Sequence, residues 1–558
     1  MNAFQGMCLV CVLSSREWFV PRMPIKPAAT LDLGKQSGLP ALLREAMAHH
    51  NQGEIALAAR CYQKILRIAP DHFDATHLLA VVNAQRGNND RARALFARAL
   101  DLHPDHAEVH FNKGTMEKAA GDLNAAVTDF GRAIGAAPDH AGALNNRSLA
   151  FQEMRLFDRS LLDSDRLVGL APSDPVAWNN RGVLLHDMMR LDEALSCLNE
   201  ALRLKPDYAE ALNNRGNVLK ERHQLDSAIA DYDSASAINP DFAEAHFNKG
   251  IVRLLQGDYA DGWRLWEWRW RQTRLSSPRR DFTAPLWLGD TDLAGKTILL
   301  HSEQGLGDTM QFIRYAPMVA DLGASIVLEA PKVLHPLLRT VTGTGALVGK
   351  DEALPDFDLH CPLMSLPLAF GTTLDTVPAP GAYCSVSPDR VDGWAARLGP
   401  STKPRVALAW RGNTDNVNDH NRSARLEDIW PLLSPDVEWL CLHHDLDASE
   451  TEIAGPVGHL RTPLDGDTDL EDAAAICALS DLVVTVDTSF AHIAGALGKT
   501  SLVMLPFTPD WRWMMHRSDT PWYDGMTLFR QDESRDWGRV IKEVAAALEA
   551  LPIRPPDS

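Results

Sequence analysis

Small residues return along the first half of this chain at a fixed step of 34 positions. One series runs Ala46, Ala80, Gly114, Ser148, Gly182, Gly216 and Gly250, and a second runs Ala58, Ala92, Ala126, Ser160, Ala194, Ala228 and Gly262. Pro70, Pro104, Pro138, Pro172, Pro206 and Pro240 keep the same ruler. Apolar and small positions fall at helical spacing inside each unit. In residues 209–241 a first helix carries Leu212 and Gly216, and a second carries Ala228, Tyr232 and Ala235 before Pro240 ends it. The pattern predicts helix–turn–helix units whose two helices touch at small residues and whose second helix stops near a proline. It marks residues 39–272 as seven units of scaffold, so the chemistry is expected beyond them.

These units resemble the tetratricopeptide repeat, whose helices pack at those small and aromatic positions and stack into a superhelix with a concave groove. The fourth unit is degenerate, with Ser148, Ser160 and Ser164. The seventh lacks its proline and runs into Gly262-Trp263-Arg264-Leu265-Trp266-Glu267-Trp268-Arg269-Trp270. That tryptophan cluster is read as an aromatic cap docking onto the next domain, with a binding platform as the rival reading. Asn112, Asn146, Asn180, Asn214 and Asn248 share one first-helix position, with Asn145, Asn179 and Asn213 beside them. Helix propensity does not explain repeated asparagine. An amide that donates and accepts suits either a peptide backbone held in the groove or bonds between repeats. A similar asparagine ladder lines the groove of the tetratricopeptide-bearing O-GlcNAc transferases. That resemblance implies a polypeptide partner or acceptor in the groove.

Beyond a polar linker at residues 276–280 the pattern changes to apolar strands alternating with helices. Thr297–Leu300 reads as a strand, Gly305–Asp308 as a turn, Met310–Val319 as a helix despite Pro317, and Ala324–Leu328 as the next strand. Past Pro404 the rhythm restarts with strands at Arg405–Trp410, Trp439–Leu442, Leu482–Val486 and Leu502–Leu505. Such alternation predicts parallel sheets covered on both faces, here two doubly wound domains at residues 282–398 and 403–551. Ligands of such sheets sit beyond the carboxyl ends of strands.

Two of those places carry candidate chemistry. After the first strand, Gly305 and Gly307 let a backbone approach an anion, and Asp308 lies at the start of a helix, where a capping role needs no catalysis. In the second half a buried strand ends in Asp487, and Thr488 and Ser489 open a helix of small residues whose free amides suit a phosphate. His492 lies one turn in, either as a packed core residue or as a donor to a diphosphate.

Gly305-x-Gly307-Asp308 together with Asp487-Thr488-Ser489-x-x-His492-x-x-x-Ala496-Leu497-Gly498 resembles glycosyltransferase family 9, which includes the ADP-heptose:lipopolysaccharide heptosyltransferases. The resemblance spans residues 282–550 and implies the GT-B fold. The expected fold class is therefore an all-α tetratricopeptide solenoid followed by an α/β GT-B pair of Rossmann-like domains. The resemblance implies that Asp308 is the general base on the acceptor hydroxyl. It likewise implies that the turn Asp487, Thr488 and Ser489 binds the sugar and diphosphate of a nucleotide-sugar donor, and Gly305, Gly307 and His492 are expected at the same donor site. Where the family has a lysine near the phosphates, this chain has Trp410-Arg411-Gly412-Asn413 and Asn421-Arg422-Ser423, so Arg411 or Arg422 is expected in that role. The family 41 O-GlcNAc transferases share the repeats but not these sheet motifs.

The implied activity is transfer of a sugar from a nucleotide-sugar to an acceptor, expected to be a protein recruited by the repeats. A non-catalytic interaction scaffold with a degenerate GT-B domain and a transferase acting on lipopolysaccharide or another glycan are the alternatives. The reaction is expected to need no metal and no cofactor besides the donor, since helix amides and arginines can stabilise the leaving diphosphate. A net charge of −19 argues against nucleic acid as a partner. Eight cysteines, including Cys441 and Cys477 in apolar stretches, are read as reduced. Cys8 and Cys11 form a CxxC without a second pair at metal spacing. The apolar run Met7–Leu13 is too short for a membrane span, and no basic residue precedes it as in a signal peptide. Residues 1–38 are expected to be a disordered extension or a mis-assigned start ahead of Met23, and the protein is expected in the cytoplasm.

Overall fold

The structure, a computed structural model, describes residues 38–272, 280–413, 419–454 and 459–550. The expectations for residues 1–37, with Cys8, Cys11 and Met23, lie outside the described residues, as does most of the linker at 276–280. The fold divides into two compact units, the first ending at Val218 and the second beginning at Leu219.

The repeats form as helix pairs. Four complete ones precede Pro175: Leu39–Asn51 with Ile55–Ile68, Phe73–Gln85 with Asn89–Leu102, Ala107–Ala119 with Leu123–Ala136, and Ala141–Glu153 with Phe157–Leu170. Pro175–Asp187 with Leu191–Leu204 follows, then Ala209–Glu221 with Leu225–Ile238, and Ala243–Gln256 with Tyr259–Trp266. The second helices end at Ile68, Leu102, Ala136, Leu170, Leu204 and Ile238, each two residues before its proline. There the missing N–H and fixed φ of proline forbid a further turn.

Both small-residue series lie at helix crossings. Ala46, Ala58, Ala80, Ala92, Ala126, Ala194 and Ala228 are fully buried. A Cβ built on Gly114 would lie 2.8 Å from the Phe130 ring, and one on Gly182 would lie 2.7 Å from Leu198. In the degenerate fourth unit two hydroxyls replace that contact. Ser148 and Ser160 lie 2.9 Å apart through their Oγ atoms, and each also donates to the other's carbonyl.

The asparagine column is used between repeats. Asn112 Nδ2 lies 3.0 Å from His77 Nε2, and Asn146 Nδ2 donates to Thr115 Oγ1 at 3.4 Å. Asn180 and Asn214 donate to Asn145 and Asn179 of the preceding repeat, both at 2.9 Å. Asn214 is buried, and Asn248 holds the same position, half-buried, in Ala243–Gln256. The expectation that these residues line an acceptor groove is corrected in this respect: four of the five amides point at the repeat before, which is the stacking alternative.

Within the second unit the last repeat packs through aromatic rings. Trp263 and Trp266 are buried, with ring centroids 5.1 and 5.8 Å from Trp511. Trp522 Nε1 donates to Tyr259 Oη at 3.1 Å. The tryptophan cluster thus acts as the expected cap, while Trp268 stacks on His246 at 3.9 Å.

Two parallel sheets follow. The first contains β1 (Thr297–His301), β2 (Ser325–Ala330), β3 (Ala346–Gly349) and β4 (Leu359–Pro362) in the order β3-β2-β1-β4. The second contains β5 (Arg405–Ala409), β6 (Glu438–Cys441), β7 (Leu460–Arg461), β8 (Leu482–Val486), β9 (Ser501–Leu505) and β10 (Met526–Arg530). Its order is β10-β9-β8-β5-β6-β7. Strands β5, β8 and β9 are buried almost throughout, as strands covered on both faces must be. The helix expected at Met310–Val319 is broken into Leu306–Phe312, a 3₁₀ turn Ile313–Tyr315 and Ala316–Asp321. Pro317 sits in the first turn of the last segment, where its missing N–H costs nothing. No helix among the described residues is long and apolar enough to cross a membrane.

Candidate active site

In the second sheet the chain runs outward from β5 in one direction to β6 and β7, and from β8 in the other to β9 and β10. Strands β5 and β8 are neighbours, so the strand order reverses between them, and it is at the crevice beyond the carboxyl ends of such a pair that doubly wound sheets bind ligands. The residues that leave those two strands are Trp410–Asn413 and Asp487–Ser489.

Arg422 joins them. Its Nη1 donates to the Asp487 carbonyl at 2.9 Å, and its Nε donates to Asp419 Oδ1 at 3.3 Å. The guanidinium lies over Gly412, where a Cβ would come within 2.5 Å of Nη2. Gly412 N–H donates to Ser423 Oγ at 2.9 Å, which binds the two arginine-bearing segments together.

Arg411 goes elsewhere. Its Nε donates to Glu450 at 3.0 Å and its Nη2 to Asp445 at 3.0 Å, so two carboxylates already neutralise it. The sequence left Arg411 and Arg422 as alternatives, and the structure brings only Arg422 to Asp487.

Thr488 caps the helix Ser489–Ala496, its Oγ1 accepting from Phe490 N at 3.3 Å. Asp487 is buried just before that cap. Burial, with Asp510 as a like-charged neighbour, pushes its carboxyl up to about 6, while Arg422 and Arg512 oppose the shift. His492 is buried one turn into the helix, its Nδ1 2.9 Å from Tyr523 Oη and its ring stacked at 5.6 Å on Trp513. Burial, and then Arg512, Arg314 and Arg422, hold its pKa far below the usual imidazole range, so it is a neutral group at physiological pH.

The first sheet meets this place through the helix Leu306–Phe312. A Cβ on Gly307 would lie 2.7 Å from His492 Cδ2 and 3.3 Å from Ser489 Cα. Gly307 therefore admits the facing helix, a correction to its expected use as an anion cradle. Gly305 is the N-cap, and its N–H donates to Asp308 Oδ2 at 2.7 Å. The expected turn is accordingly shorter than Gly305–Asp308, because the helix already starts at Leu306.

The other Asp308 oxygen pairs with Arg512, a residue the sequence reading did not single out. Arg512 is buried and also donates to Asp510 Oδ1 at 2.8 Å and to Gln311 Oε1 at 2.6 Å. Burial works against its charge, but Asp510 and Asp308 outweigh it and keep it protonated. A signal for it existed, since Asp510-Trp511-Arg512-Trp513 follows the carboxyl end of β9. Asp308, Asp487 and His492 thus all feel the charge of one buried arginine from beyond the second motif, and Ser489 lies against Gly307.

The chain matches family models in two regions. Residues 43–107, 85–141 and 175–208 match models described as "Tetratricopeptide repeat", and 216–257 match one described as "TPR repeat". Residues 439–534 match "Glycosyltransferase family 9 (heptosyltransferase)". The chain carries tetratricopeptide repeats and a C-terminal glycosyltransferase family 9 domain. The family 9 match includes Asp487, Thr488, Ser489, His492 and Arg512, and it stops short of Asp308, Arg411 and Arg422.

Protein FlbA of Caulobacter vibrioides is 28% identical over 326 residues, which is 53% of this chain and 53% of that protein. The chain therefore spans about half the length of the curated relative it matches. A tetratricopeptide repeat protein from Parabacteroides merdae is 16% identical, with a TM-score of 0.37 over 41% of this chain and 91% of its own. YrrB, a TPR protein with an unusual peptide-binding site, is 22% identical, with a TM-score of 0.30 over 34% of this chain and 97% of its own.

Proposed function

We propose that the second unit transfers a sugar from a nucleoside diphosphate sugar to an acceptor hydroxyl, and that the acceptor is a polypeptide recruited through the repeats. The observation that carries this reading is the convergence, at the β5–β8 crevice of a family 9 domain, of a capped helix N-terminus, Arg422 and a neutral His492. The diphosphate would lie at the positive end of the helix Ser489–Ala496, with Arg422 as its fixed cation. His492 is uncharged, so it contributes a polar contact and not an ion pair.

In the reaction the acceptor oxygen attacks the anomeric carbon as the bond to the diphosphate breaks. The acceptor proton passes to the Asp308 carboxylate, and the negative charge that develops on the leaving group is met by the helix amides and Arg422. For this, Asp308 has to turn one oxygen from Arg512 to the acceptor. The same ion pair supports the rival reading, a nucleotide-binding scaffold in which Asp308 only caps a helix and joins the two sheets.

The two readings part on Asp308→Asn. Release of nucleoside diphosphate from UDP-, GDP- and ADP-sugars is followed with and without EDTA. The proposal expects turnover of one donor, insensitive to EDTA, that falls at least about a hundredfold in Asp308→Asn while nucleotide binding is kept. Full turnover in that variant would make Asp308 a cap.

A further inference from the structure

The first repeat carries a cluster that glycosyl transfer does not use. Glu45 and His49 are one turn apart on one face of the helix Leu39–Asn51, and Cys61 faces them from the helix Ile55–Ile68. One ligand atom from each, a carboxylate oxygen, an imidazole nitrogen and a thiol sulfur, lies within 4.8 Å of the other two. Glu45 Oε1 is 3.9 Å from His49 Nε2.

A second observation concerns the far side of the ring. His49 Nδ1 is hydrogen-bonded to Glu54 Oε2. With a carboxylate as its partner Nδ1 carries a proton, which leaves Nε2, on the side of Glu45, as the nitrogen that can ligate. A carboxylate behind a ligating imidazole is the usual outer partner at metal sites, where it fixes tautomer and orientation.

We propose that Glu45, His49 and Cys61 bind a divalent cation of the zinc class, with Glu54 as the positioning residue. The donor set is mixed oxygen, nitrogen and sulfur, which suits a borderline-soft ion and not magnesium or calcium. Metal–ligand bonds of about 2.0–2.3 Å in a tetrahedral site put ligand atoms roughly 3.3–3.8 Å apart, so a small rotation of the exposed Glu45 closes the set. On binding, the Cys61 thiol gives its proton to solvent and both its sulfur and the Glu45 carboxylate bear negative charge, which balances the cation. Three protein ligands leave a fourth position for water or a ligand from outside. The ion would tie the two helices of the repeat together.

The test uses the full chain, reduced and stripped with a chelator. Cys8 and Cys11 are changed to serine in the parent so that their CxxC does not report, and Cys197, Cys361, Cys384, Cys441 and Cys477 are buried. Cobalt(II) is the probe, read by its thiolate charge-transfer absorption. The proposal expects one equivalent bound with that absorption in the parent, and its loss in Cys61→Ser. His49→Gln should abolish saturable binding, and Glu54→Gln should weaken it about 10- to 100-fold. Circular dichroism checks folding, and if Cys61→Ser misfolds, His49→Gln and Glu45→Gln decide by the same absorption. No thiolate band in the parent, or an equal band in a folded Cys61→Ser, overturns the site.

Discussion

At the scale of single residues the site is a set of charges placed where water is scarce. Asp487 lies next to Asp510, and its folded pKa of about 6 is above the ordinary carboxylate value. Between those values the folded protein holds a proton that the unfolded chain has lost, so this residue's contribution to stability is lost as pH rises through about 4 to 6. Asp487→Asn should therefore be less sensitive to pH than the wild type in that window, and the more stable of the two above it. Parallel denaturant titrations at several pH values measure this, and curves that stay parallel would mean that Asp487 is not strained by its charge. Asp308 and Arg512 pose the opposite case, an ion pair between groups 204 positions apart that meet only when both sheets are formed.

Elements differ in how plainly the sequence announces them. The repeat helices were legible because a small residue at each crossing and a proline after each second helix recur with one period. Strands β1, β2, β5, β6, β8 and β9 were legible as apolar runs, whereas β3, β4, β7 and β10 are short, lie away from the central pairs or were not set apart by an apolar run. Two features were not legible. Arg411 and Arg422 look alike in sequence, and only the position of Glu450 and Asp445 separates them. Gly307 suggested a ligand but serves the approach of a helix, because the partner, His492, is far along the chain.

The asparagine column gives the prediction at this scale. Replacing Asn146, Asn180 and Asn214 by alanine removes three bonds between repeats, each worth about 0.5–1.5 kcal/mol. Alanine returns at most about 0.7 kcal/mol of helix propensity per site, about 2 kcal/mol in all, so from the middle of the hydrogen-bond range the net effect is a loss of at least about 1 kcal/mol. Denaturant unfolding followed by circular dichroism should show it. Unchanged stability with a raised KM for a polypeptide acceptor would return the column to acceptor binding.

At the scale of the molecule, the proposal assigns recruitment to the repeats and glycosyl transfer to the sheet-bearing unit. The last repeats belong with the sheets in the unit that begins at Leu219, joined by Trp263, Trp266, Trp511 and Trp522, so the site stands on a continuous core. The proposed function requires a nucleoside diphosphate to bind at the β5–β8 crevice against the helix Ser489–Ala496. Thermal unfolding of the full chain with UDP, GDP or ADP tests it most directly, since a ligand that binds only the folded state raises the melting temperature. One of the three should raise Tm in the wild type, and Arg422→Ala should lose most of that rise while its own unfolding stays cooperative. No rise with any of the three, or an equal rise in Arg422→Ala, would contradict the account.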